Sequence, residues 1–260
     1  DGTVTYTIKL NKGMKFSDGK PVTIDDYIYA LYVRADPSYA GKPGSLLGEP
    51  IEGVENYFYD DPNYESEIKK IEDEAAGKYG PENITLEDFI VYAKGTNLDG
   101  WWTGDPAGDA GGVTWSEYIE SEGFGDKLAA IDATNADAML TLLAEIEWTN
   151  YRDAYDTLTW FTEKNKSEYA TGNLEDGVDV PEISGVVKVD DLTCTVKYTR
   201  VSIVADRGLT TNNGQGNLVP KHYYGEFEKG DVSKIISNME PMGSGPYIWG
   251  GFADNIITCT

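Results

Sequence analysis

Histidine and cysteine are nearly absent from this 260-residue chain, which has one histidine, His222, and two cysteines, Cys194 and Cys259. A single imidazole cannot build a histidine-based metal cage, and a Ser-His-Asp relay would have to run through His222 alone. No Cys-x-x-Cys pair, Gly-x-Ser-x-Gly elbow or phosphate-binding loop occurs. Gly243-Ser244-Gly245-Pro246 is glycine-rich but lacks the lysine a phosphate loop needs, and reads as a tight chain crossing. Both cysteines sit in Thr-Cys-Thr contexts on expected strands; neighbouring strands would allow a disulfide, and the reading taken is that of two small apolar residues left unpaired. No run of 18 apolar residues exists to form a membrane-spanning helix. Basic residues are scarce as well: 21 Lys and Arg against 45 Asp and Glu leave a formal charge of −24, which repels nucleic acid and anionic membranes. The acids are scattered, the pattern of a solvated surface rather than a cation trap. The acidic stretches at 60–65 and 99–109 lack the spacing of an EF-hand, so neither a metal nor a cofactor is expected. Paired carboxylates for glycoside hydrolysis depend on a three-dimensional separation, and abundance alone does not point to them.

What the chain has is aromatic mass: 18 Tyr and 6 Trp, enough to exclude disorder despite the low overall hydrophobicity. Thr3, Thr5, Thr7 and Lys9 alternate with Val4, Tyr6, Ile8 and Leu10, which predicts a half-buried strand over residues 3–10. Asn11-Lys12-Gly13 and Asp18-Gly19 supply two turns. Thr23 then precedes Ile24, Tyr27, Ile28, Leu31 and Tyr32 at helical spacing, with Thr23 as N-cap and Asp26 as the acid of a capping box. Far downstream, residues 183–189 and 193–198 predict a β-hairpin turned at Asp190-Asp191.

In these residues the chain resembles the family 5 extracellular solute-binding proteins of ABC importers, the oligopeptide- and dipeptide-binding group. Lys15, Phe16, Asp18, Gly19, Pro21, Thr23 and Asp26 fall in register with the family's Lys-Phe-x-Asp-Gly-x-Pro-hydrophobic-Thr-x-x-Asp pattern. Asp190-Asp191-Leu192-Thr193, Val219-Pro220-Lys221-His222 and Met242-Gly243-Ser244-Gly245-Pro246-Tyr247 resemble three further blocks, in the family's order. The resemblance implies a mixed α+β fold of the α/β kind, a lobe like that of type II periplasmic binding proteins. It also implies an exported, monomeric, non-enzymatic receptor that takes a small solute, a peptide, in an interlobe cleft and passes it to a membrane permease. The full-length protein would lie outside the cytoplasm, in the periplasm or lipid-anchored at the outer face of the membrane. Asp1-Gly2 stands directly before a strand and the last residues fall inside an apolar run, so a fragment of a longer binding protein is expected.

The family runs from its first helix to this hairpin with a short interval, whereas here residues 51–182 intervene. The expected organisation is therefore the start of a small subdomain at 1–50, a largely helical insertion at 51–182, and a returning hairpin and strand at 183–260. In the insertion, residues 65–78, a segment capped by Thr85, residues 114–122 and a stripe of Ala136, Met139, Leu140, Leu143 and Ile146 read as helices. Tyr151, Ala154, Tyr155, Leu158 and Phe161 read as a further helix, and the glycine-rich stretch 95–112 reads as loop.

Two places are candidates for ligand contact. By the resemblance, the loop after the first helix approaches the solute; here it carries Tyr39, Gly44 and Ser45, with Gly44 standing where the family has an aromatic. Trp101 and Trp102 are the other pair, since a glycine-rich loop offers little to bury them. They carry the alternative readings: a carbohydrate receptor or glycan-active surface protein that stacks sugars on tryptophan, or a surface module that binds another protein.

Overall fold

The computed structural model describes residues 2–39, 45–172, 178–203, 205–210, 218–232 and 240–260. In chain order the main elements are β1 (Val4–Lys9), α1 (Ile24–Ala35), α2 (Val54–Tyr59), α3 (Tyr64–Tyr79), α4 (Leu86–Gly100), α5 (Trp115–Ser121), α6 (Gly125–Ala129), α7 (Ala136–Tyr151) and α8 (Thr157–Gly172). They are followed by β2 (Val186–Asp190), β3 (Thr193–Tyr198), α9 (Ala205–Thr210), α10 (Lys221–Tyr224), β4 (Trp249–Ala253) and β5 (Ile256–Cys259). This is a mixed α and β chain with small sheets. It divides into two compact units, one made of residues 1–65 and 174–260 and the other of residues 66–173.

The first unit is built on an antiparallel sheet of order β1-β3-β2. Period-2 alternation puts Tyr6 and Ile8 on the face of β1 that meets Val196 and Cys194 of β3, in the register Tyr6↔Val196 and Ile8↔Cys194. That face packs against α1, where Ile24, Tyr27 and Leu31 are fully or almost fully buried. Each such side chain removed from water contributes about 1.5–3 kcal/mol. Tyr27 adds a buried hydrogen bond from its hydroxyl to the Leu209 carbonyl at 2.8 Å. Burial pushes the phenol of Tyr27 well above its ordinary range, and the Cys194 thiol up to about 11. Cys194 is buried and Cys259 exposed, and both are free thiols. A separate antiparallel hairpin, β4-β5, carries Cys259.

The second unit is helical among its described residues. α4 and α7 run against each other around Phe89, Tyr92, Met139, Leu143 and Ile146, and α5 adds Trp115 and Ile119. Capping fixes the helix starts: Thr85 and Thr114 form reciprocal boxes with Asp88 and Glu117, and the side chain of Asn135 accepts the Ala138 amide at 3.1 Å. Two expectations are corrected here. The stripe Tyr151 to Phe161 is not one helix: α7 ends at Tyr151, a 3-10 turn covers Arg152–Ala154, Tyr155 is extended, and α8 begins at Thr157. Asp156 sets the restart, its carboxylate accepting the Thr159 amide at 3.1 Å. Nor is 95–112 all loop, because α4 reaches Gly100 through a kink in which Asn97, Leu98 and Asp99 have φ of 48, 51 and 58°. The left-handed turn buries Leu98 and lets the Asp99 carboxylate accept the Tyr92 hydroxyl at 2.7 Å.

Glu147 is an ionisable group inside this second core. It is 4% exposed and accepts the hydroxyls of Tyr118 and Tyr155, both at 2.9 Å. Burial outweighs those two bonds and lifts its carboxyl above the usual range. A raised folded pKa means that the folded chain holds the proton more tightly than the unfolded one. The penalty for carrying the charge is therefore full above the folded pKa and fades as pH falls toward the unfolded value of about 4.3. Glu147→Gln is expected to melt a few degrees above the parent at pH 7, with the gap closing near pH 4.3. Melting curves across that range check this; a variant less stable at pH 7, or a gap that ignores pH, contradicts it.

Candidate functional site

The segments at 10–26, 191–192, 219–222 and 243 come together in the first unit, around the entry to α1. The Leu10 amide donates to the Leu192 carbonyl and the Ile24 amide to the Asp191 carbonyl, both at 2.8 Å. The Ser17 amide donates to the Gly243 carbonyl at 3.0 Å. His222 Nε2 lies 2.9 Å from Asp18 Oδ2, and its ring packs on Phe16 with centroids 5.4 Å apart. That ties His222 to a turn, which is a structural use of the imidazole.

The turn itself follows from Asp18 and Gly19. Asp18 Oδ1 accepts the Lys20 amide at 3.0 Å, and this bond, with a smaller contribution from His222, holds its carboxyl below the ordinary range. Gly19 has φ +85° and donates its amide to the Phe16 carbonyl at 2.9 Å. A β-branched residue there would meet the left-handed penalty of about 1–2 kcal/mol. Asp18→Ala and Gly19→Val are each expected to lower the melting temperature. Unaltered melting of both variants would refute this structural role.

Two aspartates fasten α1 at its ends. Asp26 Oδ2 accepts the Thr23 amide at 2.8 Å as the capping-box acid, and its Oδ1 accepts the Lys221 amide at 3.0 Å. Asp36, with no exposure at all, accepts the Ser38 amide and the Gly230 amide at 2.8 Å each, while Ser38 Oγ accepts the Val232 amide at 3.0 Å. The capping-box half of Asp26's work is visible in the spacing of Thr23 and Asp26, and nothing local marks the role of Asp36. Their long-range partners, some 200 positions on, leave no local pattern.

Beside this junction lies a cavity of about 570 Å³. Its walls are Ile8, Leu10, Tyr27, Leu209 and Leu218, with the Gly243-Ser244-Gly245 backbone on one side. Apolar walls beside the polar residues Lys9, Thr210 and Ser244 suit non-covalent recognition. Among the described residues no group of three or more His, Cys, Asp or Glu is placed to hold a metal ion, and no helix is long and apolar enough to cross a membrane.

The five residues singled out from sequence are placed as follows. Tyr39 is half-buried in a 3-10 turn, packed against Tyr29, Val33 and Val232. Ser45 turns its hydroxyl inward to accept the Leu47 amide at 3.2 Å, and Gly44 lies outside the described residues. Trp101 and Trp102 belong to the other unit. Trp102 is 4% exposed and edge-on to Trp115 at 5.3 Å; Trp101 is 37% exposed and also meets Trp115, at 4.6 Å. Partner rings from α5, too far along the chain for a local reading, cover what the glycine-rich stretch could not.

These features describe a junction held by a turn, a capped helix and returning segments. Residues 1–76 match the family described as bacterial extracellular solute-binding proteins, family 5 Middle. A stretch of 55 residues is 40% identical to the oligopeptide-binding protein AppA of Bacillus subtilis (strain 168), covering 21% of this chain and 10% of that protein. The chain thus aligns with about a tenth of this curated relative's length. No solved structure matches it.

Proposed function

We propose that this chain is part of the solute-binding component of an ABC importer, and that its solute is an oligopeptide or dipeptide held non-covalently between lobes. The observation that carries the reading is the junction itself: four blocks resembling the family's, spread from Lys15 to Gly243, meet through backbone hydrogen bonds and the Asp18–His222 contact. The relative's name, an oligopeptide-binding protein, supports the choice of solute. In this reading the first unit is a type II-like lobe and residues 66–173 are a helical insertion within it. Tyr39 and the 44–45 loop edge the solute cleft, and the full-length protein works as a monomer outside the cytoplasm, lipid-anchored and docking on a permease. Ligand closure is then a hinge motion drawn by the better fit of the closed state. Calorimetry on the full-length protein should show heat with mixed short peptides. Heat with oligosaccharides only, or turnover of a glycoside, would sink the peptide assignment.

A further inference from the structure

A second cavity, of about 370 Å³, opens in the first unit on the other flank of α1. Ile28, Tyr29 and Tyr32 of the helix form one wall, and Tyr57 and Phe227 others. Its most telling group is Tyr29. This residue is 6% exposed, lines the cavity, and its hydroxyl has no hydrogen-bond partner. A buried hydroxyl without a partner costs about 1–3 kcal/mol, a cost that a polar ligand atom in the cavity would remove.

The charges around the cavity indicate the sign of that ligand. Five charged residues line it: Asp25, Asp179, Glu226, Lys221 and Lys229. Lys221 pairs with Glu226 at 2.9 Å, Asp25 with Lys188 at 2.8 Å, and Lys229 with Asp60. Asp179 alone has no ion pair among the described residues, although Lys229 Nζ bonds the neighbouring Val180 carbonyl at 3.2 Å, and the lining is left one negative charge in excess. The hydroxyl also lies in a negative field: burial first, and Glu226 next, push the Tyr29 phenol up to about 12. The protein already seats one ammonium on this wall, since Lys229 Nζ stands 4.1 Å from the Tyr57 ring centroid. Tyr29, Tyr32 and Phe227 add three further aromatic rings to the lining, and a cation over a ring face gains about 0.5–2 kcal/mol.

We infer that this cavity is a binding site for a small primary ammonium ion with an aromatic or apolar tail, its N–H groups donating to the Tyr29 hydroxyl and its tail lying against Ile28 and Phe227. A carboxylate ligand fits poorly, because both lysines are already neutralised and the surplus charge is negative. The site needs neither a peptide solute nor a permease, so it stands or falls apart from the importer reading.

Three probes of one skeleton test it by calorimetry on the 260-residue chain at pH 7: 2-phenylethylamine, 2-phenylethanol and phenylacetate. The amine is expected to bind about tenfold more tightly than the alcohol, with phenylacetate weakest. Tyr29→Phe should weaken the amine roughly fivefold or more without lowering the melting temperature, since the hydroxyl it removes has no partner to lose. Asp179→Asn, an exposed change, should weaken the amine about threefold and leave the alcohol unaffected. Equal binding of amine and alcohol would mean a merely apolar pocket and overturn the inference. So would tightest binding of phenylacetate, no amine binding at millimolar concentration, or an amine affinity untouched by Tyr29→Phe.

Discussion

Trp102→Ala is expected to destabilise residues 66–173 by about 3–5 kcal/mol, the range for deleting a buried tryptophan, whereas Trp101→Ala should cost only about 1 kcal/mol. The two residues are adjacent and share a partner, Trp115, yet their surroundings differ. Trp102 is covered almost completely, and its amide donates to the Asn97 carbonyl at 3.0 Å across the kink that ends α4. Truncation would leave a large cavity against Trp115, which has no exposure of its own to collapse with. Trp101 keeps more than a third of its surface in water and has less to lose. Urea unfolding followed by far-ultraviolet circular dichroism measures both. Comparable losses for the two variants would contradict the assignment, and a silent Trp102→Ala would return that residue to the pool of ligand-contact candidates.

The second large effect is expected at Asp36. Asp36→Ala should cost about 2–4 kcal/mol, because it removes the buried carboxylate that accepts both the Ser38 and the Gly230 amides, and a hydrogen bond to a charged group carries about 1.5–3 kcal/mol. Asp36→Asn keeps one carbonyl oxygen and should recover roughly half of that loss. Thermal melting of the three proteins gives the comparison. If alanine and asparagine behave alike, the clamp is not what holds residues 230–232 to α1. The loss should also appear in the amine titration, since Phe227 belongs to the same returning segment as Gly230.

Local physics was readable in the sequence and long-range closure was not. β1, the turn at Asp18-Gly19, the Thr23 cap, the Asp190-Asp191 hairpin and the cap at Thr85 each rest on a spacing of a few residues, so a linear reading finds them. The break between α7 and α8 was hidden because Tyr151, Tyr155 and Phe161 keep helical spacing through a 3-10 turn, and apolar spacing alone does not report a change of backbone. Trp101-Trp102 misled for the opposite reason. Their neighbours in sequence are glycines and aspartates, while their neighbours in space are Trp115 and Tyr118. Tyr29 stands off the stripe of Ile24, Tyr27, Ile28, Leu31 and Tyr32 that the spacing picks out, and that its hydroxyl lacks a partner is a property of the fold.

The pairing of β1 with β3 joins Ile8 to Cys194, roughly 190 residues apart, across the whole of residues 66–173. On a growing chain β1 therefore leaves the ribosome long before the strand that completes its sheet exists. Its Tyr6 and Ile8 face must wait uncovered, the interval in which edge-to-edge association is most dangerous. The helical unit, whose partners are nearer in sequence, can fold during that wait and replace a long flexible loop with a rigid link, lowering the entropy cost of the final closure. The polar face of β1, Thr5, Thr7 and Lys9, is then the strand's protection in the meantime. On this view the order of synthesis places a demand on the first strand that the finished protein no longer shows.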